Sequence, residues 1–254
     1  MPRYKLIIEY DGTPYAGWQR QADQPTVQEA IINAVFNFCG QKVDVVGAGR
    51  TDANVHATAQ VAHIDIDMET DGFKVMQAIN FYLFNPPKEQ NYPPNRIAIL
   101  DAFRVADDFS ARFSAKRRHY LYRIINRRAR LGLEAERAWH VIDDLDEKIM
   151  QEAANILIGH HDFSSFRDTK CQAKSAEKTL ELFNIVRRGN ELHISASARS
   201  FLHHQVRNMV GTIALVGKGK WNIADVQSAL DAKDRKAGGP TAPAEGVYLT
   251  GVDY

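Results

Sequence analysis

The chain has 254 residues, 44% of them hydrophobic and 25% charged, an ordinary globular composition able to bury a sizeable core in one or two domains. Its 32 Lys and Arg are almost balanced by 31 Asp and Glu, so a net charge of +1 does not mark a nucleic-acid protein, and any such argument must rest on where the charges lie. No apolar run approaches the roughly 18 residues that span a bilayer, no secretory h-region opens the chain, and Cys39 and Cys171 stand far apart outside any C-x-x-C pattern; a cytoplasmic chain with two buried or half-buried thiols is expected, without a disulfide framework or cysteine zinc site.

In chain order, residues 3–11 read as a strand. Thr26 starts a helix, with Glu29 placed for a capping box, and Val27, Ile31, Ala34, Val35 and Phe38 recur at helical spacing until Gly40 stops it. Strands at 43–46 and 58–67 flank a polar turn, a helix follows at 73–84 and a strand at 96–105, which gives β-α-β-β-α-β. A similar order then returns: a strand at 119–125, a helix at 146–158, strands at 179–186 and 191–198, helices at 202–216 and 223–232, and a last strand at 247–253. The fold class is therefore α+β, two tandem split β-α-β (ferredoxin-like) halves, 1–105 and 106–254, with joined antiparallel sheets and a central cleft where loops meet. No Gly/Ser or Pro-rich linker separates the halves.

Three stretches carry chemistry. Between two strands lies Gly47-Ala48-Gly49-Arg50-Thr51-Asp52-Ala53-Asn54-Val55-His56, a tight turn that exposes its side chains. Arg50 and Asp52, two apart, point the same way on extended backbone, so the guanidinium can hold the carboxylate ionised and oriented; a purely structural turn is the ordinary alternative. No Lys-Ser/Thr follows and no G-x-G-x-x-G is present, which argues against a nucleotide loop. Next, the span from Arg112 to Arg130 holds eight basic residues and no acidic one, and within it Tyr120 and Tyr122 share one strand face. Aromatics beside arginines suit RNA, because stacking contributes about 1–3 kcal/mol per base and the arginines track phosphates; half-buried strand tyrosines are the plain alternative. Third, residues 199–220 are again free of Asp and Glu, and their helix places Arg207 off a core stripe of Val206, Met209, Val210 and Ile213. The pairs His160-His161 and His203-His204 lack an HExxH or carboxylate-rich setting, so they contact RNA or cap local structure and no metal is expected.

Taken together these motifs resemble the tRNA pseudouridine synthase A (TruA) family over nearly the whole chain. The resemblance runs through Glu9-Tyr10-Asp11-Gly12, Gly17-Trp18-Gln19-Arg20-Gln21, Ala48-Gly49-Arg50-Thr51-Asp52-Ala53, Ala111-Arg112-Phe113-Ser114-Ala115, Tyr120, Ser165-Phe166-Arg167, Phe201-Leu202-His203-His204 with Val206-Arg207-Asn208, and Ala242-Pro243-Ala244-Glu245-Gly246 with Tyr248-Leu249. It implies a pseudouridine synthase fold and isomerisation of uridines 38, 39 and 40 in the tRNA anticodon stem-loop, by a cytoplasmic homodimer with no metal or cofactor. It also implies Asp52 as catalytic nucleophile or base, Tyr120 stacked on the target uracil, Arg50 and Arg207 positioning carboxylate or RNA, and Leu249 closing the pocket. The basic runs add Arg112, Lys116, Arg118 and His203 as RNA contacts. One departure is Asn54, where the family commonly has Gly; Asn tolerates positive φ better than most residues.

Two other readings compete. A non-catalytic RNA-binding protein would explain the aromatics and the charge, but no RNP-type strand is present and Asp52 beside Arg50 serves no purpose in phosphate binding. A metal-dependent nuclease or phosphotransferase would need two or more carboxylates converging on magnesium.

Overall fold

Alternation builds the first sheet: in β1 (Arg3–Tyr10) the side chains of Tyr4, Leu6, Ile8 and Tyr10 are buried while those between them are less so, as a strand with one face on a core requires. A computed structural model describes residues 1–88, 90 and 92–254. The chain divides into two units, Met1–Lys116 with Tyr248–Tyr254, and Arg117–Val247.

In the first unit β1 is followed by α1 (Val27–Cys39), β2 (Val46–Gly47), β3 (His56–Asp65), α2 (Gly72–Phe84) and β4 (Ile97–Val105). β1 lies between β4 and β3, antiparallel to both. Thr26 Oγ1 caps α1 by accepting from Glu29 N, and Gly40 ends it at φ 71. Glu29 itself turns to Arg20 (3.4 Å). The Asn80 side chain ties α2 to β4, accepting from Ile99 N and donating to Ile99 O, both at 2.8 Å.

The second unit holds β5 (Arg117–Asn126), β6 (Trp139–Val141), α3 (Glu147–Ile156), β7 (Gly159–Asp162), β8 (Glu177–Arg188), β9 (Glu191–Ala198), α4 (Gln205–Gly217) and α5 (Ile223–Ala232). Its sheet runs β5-β9-β8-β7, antiparallel throughout, and β6 adds to β5 in parallel. Helix α4 is buried on almost every side. That is possible because Gly211 leaves room for the backbone at Pro240, and Gly217 for Met150.

The last strand, β10 (Val247–Asp253), pairs in parallel with β3, Tyr248 opposite His56 and Leu249 opposite Ala57. The sequence reading had it close the second half; in the structure residues 248–254 belong to the first unit. So do residues 106–116, eleven beyond the boundary read from sequence. The cause is a second small core on the other face of the first sheet, where Ala48, Val61 and Ala111 pack with Ile7, Phe109, Val252 and Tyr254. Hydrogen bonds fasten it: Arg3 to Phe109 O (2.7 Å), Ala111 N to His63 Nδ1 (3.1 Å), Tyr254 OH to Ala111 O (2.8 Å) and Lys116 N to Asp253 O (2.8 Å). The strand expected at 43–46 shrinks to Val46–Gly47, while β6 and β7 are too short for periodicity to reveal. Antiparallel pairing dominates as expected; β3 with β10 and β5 with β6 are parallel exceptions.

Candidate active site

The turn between β2 and β3 is held from within and from outside. Ala48 N donates to Val61 O (2.7 Å), and the buried Gln60 side chain donates to Gly49 O (2.9 Å). Thr51 turns into the core, which leaves Arg50 exposed and Asp52 half-buried. Val55 N closes the turn on Asp52 O (3.2 Å), with Asn54 at φ 63, the left-handed conformation anticipated for it. On the outer side Trp18 N donates to Thr51 O (3.0 Å). Gly17, at φ +97, lies so close that a Cβ would come within 2.6 Å of Thr51 O and 3.0 Å of the Asp52 carbonyl carbon. The result is one carboxylate displayed on rigid backbone, able to act as nucleophile or base. The Arg50 to Asp52 pairing expected from their spacing is not formed: Arg50 is exposed, and no ion pair ties down its guanidinium among the described residues.

Four residues beyond Asp52, buried His56 anchors the start of β3. Its Nδ1 accepts from Gly12 N (3.1 Å), its ring stacks on Tyr248 (4.8 Å between centroids), and Asp11 Oδ1 lies 3.3 Å from the same nitrogen. Burial pushes the Asp11 carboxyl up, but Thr13, His56 and the Arg96 guanidinium (2.7 Å) outweigh it and hold the group below the usual carboxylate range. Leu249, fully buried beside Ala57, completes this end of the unit. Arg112 and Lys116 are both exposed, the Arg112 guanidinium 5.3 Å from the centre of the exposed Phe113 ring.

The second unit gathers Tyr120, His203 and Arg207 around the start of α4. Tyr120 is half-buried and meets Phe201 edge to face, 5.1 Å between centroids. Tyr122, two residues on and so on the same strand face, is fully buried, donates to Pro243 O (2.8 Å) and packs where Gly246 leaves space. Arg118 is buried too, and its Nη1 reaches Arg199 O (2.5 Å), so it holds the 199–204 loop from inside where a surface contact was expected. His204 occupies the α4 N-cap at φ 61, with Nδ1 2.8 Å from Asp168 Oδ2; His203, more exposed, lies 3.7 Å from Asp168 Oδ1. Sequence reasoning did not single out Asp168, whose only signal was its place beside Ser165-Phe166-Arg167. Arg207 sends Nε to Ala242 O (2.8 Å), which orients the guanidinium plane. The other histidine pair is structural: His160 meets Thr179 Oγ1 (3.1 Å) and His161 donates to Ile158 O (3.1 Å).

Comparison with known proteins bears directly on these motifs. A family model described as tRNA pseudouridine synthase matches residues 6–113 and 153–254. The chain belongs to the tRNA pseudouridine synthase A family. Proteins named tRNA pseudouridine synthase A from Xanthobacter autotrophicus and Methylocella silvestris are 54% and 55% identical to it, over 100% of this chain and 100% and 99% of theirs. One of the same name from Maricaulis maris is 52% identical over 100% of this chain and 98% of its own. The stretch outside the family model, 114–152, contains Tyr120 and the short strand β6, yet the full-length relatives span it. No helix among the described residues is long and apolar enough to cross a membrane.

Proposed function

We propose that the protein isomerises uridines 38, 39 and 40 of the tRNA anticodon stem-loop to pseudouridine, with Asp52 as the catalytic carboxylate. The observation that supports this most is the Asp52 turn: in a family named for this reaction, a half-buried carboxylate stands on backbone held from both sides. The reaction breaks the N1 to C1′ bond, turns the uracil, joins C5 to C1′, releases the C5 proton and leaves a proton on N1. Atoms and electrons balance with no redox partner, so a carboxylate acting as nucleophile or base supplies what the step needs.

A stacked uracil cannot reach such a group, so the base flips out at a cost of a few kcal/mol. Stacking on the half-buried Tyr120 ring offsets part of that cost. Arg50, Arg112, Lys116 and His203 meet the RNA backbone, Arg207 positions carboxylate or RNA, Leu249 closes the pocket, and Arg118 serves binding through the loop it holds. The enzyme works in the cytoplasm as a homodimer. In support, Phe73, Phe81 and Phe84 of α2 are all exposed, apolar side chains of the kind a partner buries.

The test uses unmodified tRNA carrying tritium at uridine C5, incubated with EDTA and no cofactor. Tritium release to water by wild type and not by Asp52→Ala supports the reading. Binding of tRNA with no release moves the protein to the non-catalytic RNA-binding class.

A further inference from the structure

We infer that Tyr10 is a positioning residue for the isomerisation, acting on Asp52 through a buried hydroxyl pair with Thr51. The inference rests on Asp52 being the catalytic carboxylate. The Tyr10 hydroxyl lies 2.7 Å from Thr51 Oγ1, and both residues are buried. Tyr10 ends β1, just where the pairing with β3 shifts register between Ile8 and Tyr10, and such irregularities re-aim a side chain beside an active site. The ring is braced by Trp18, 6.1 Å between centroids at a tilt of 38°, and Trp18 N is the donor that holds Thr51 O.

Thr51 is thus gripped by its hydroxyl and its carbonyl, and its carbonyl carbon bonds directly to Asp52 N. Thr51 is buried and Asp52 only half-buried, so pinning Thr51 inward fixes the peptide from which the Asp52 side chain projects. Removing the hydroxyl pair frees the Thr51 side chain and loosens the backbone that aims the carboxylate. Catalytic groups must be held to roughly 0.5 Å, and a displacement of about 1 Å can cost about 100-fold in rate. Neither hydroxyl needs to touch RNA for this, so the effect belongs in kcat.

The experiment measures kcat, KM for tRNA and thermal unfolding for Tyr10→Phe, Thr51→Val, their double mutant and Thr51→Ser, with Asp52→Asn as control. Each single loss should lower kcat about 10- to 100-fold while KM moves less than about 3-fold. The double mutant should fall little further than either single, because both delete the same bond. Thr51→Ser, which keeps the hydroxyl, should recover most of the Thr51→Val loss. If Thr51→Val does not fold, Tyr10→Phe against Thr51→Ser still decides the matter. A kcat within about 2-fold of wild type in the folded single mutants, strictly additive losses, or a rise in KM at constant kcat overturns the inference. Turnover surviving in Asp52→Asn instead overturns the reading of Asp52 itself.

Discussion

Asp52 is aimed by backbone contacts on both sides of its turn, so replacing its side chain leaves the turn in place. Asp52→Asn should abolish pseudouridine formation while tRNA affinity in filter binding changes less than about 3-fold, because phosphate contacts dominate the affinity of such surfaces. Tyr120 separates ring from hydroxyl. Its ring sits edge-on to Phe201, so Tyr120→Phe should keep the stacking, whereas Tyr120→Ala should raise the barrier in kcat/KM by about 1–3 kcal/mol. A severe loss in Tyr120→Phe would assign the hydroxyl a direct part in the reaction.

At the scale of elements, segment 106–116 is held to the first sheet partly through His63, whose Nδ1 accepts from Ala111 N only while the ring nitrogen is unprotonated. Burial, with the Arg3 charge behind it, pushes the His63 pKa down. A histidine with a lowered folded pKa is protonated more readily in the unfolded chain, so stability is full above the ordinary histidine range and declines as pH falls below about 6.5. Hydrogen-exchange protection factors at residues 109–113, taken relative to the intrinsic rate at each pH, should therefore fall between about pH 6.5 and pH 5, and less so in His63→Gln. In α4, Gly211 sits where any Cβ would run into Pro240 O. Gly211→Ala should destabilise the second unit by about 1–3 kcal/mol in denaturant unfolding, despite alanine's better helix propensity.

For the whole molecule, carboxylates decide the acid limit. The Arg3 guanidinium holds Asp65 below the usual carboxylate range, and His193 and Arg123 outweigh burial to do the same for Glu191. Groups with lowered folded pKa stabilise above the unfolded carboxylate range and lose that contribution as pH falls through their folded pKa, so these pairs add to stability in full above about pH 5 and progressively less in acid. Association is testable on the exposed phenylalanines of α2. The pair of changes Phe81→Asp and Phe84→Asp should turn the proposed dimer into a monomer in light scattering with the circular dichroism spectrum preserved.

Local signals in the sequence determined the strands β1, β9 and β10, the helix that Thr26 caps, the α+β class and the turn that carries Asp52, because periodicity, capping and turn chemistry act within a few residues. Ordered motifs determined the family as well. Only the tertiary structure decided that Tyr122 and Arg118 are buried while Tyr120 stays half-exposed, since strand alternation ranks faces and cannot say how deeply each is covered. It alone placed 106–116 and β10 in the first unit, where a second small core on the far side of the sheet outweighs chain order. And it alone joined Tyr10 to Thr51, forty-one residues apart in sequence, because a hydroxyl pair of that kind is set by packing and leaves no periodic trace.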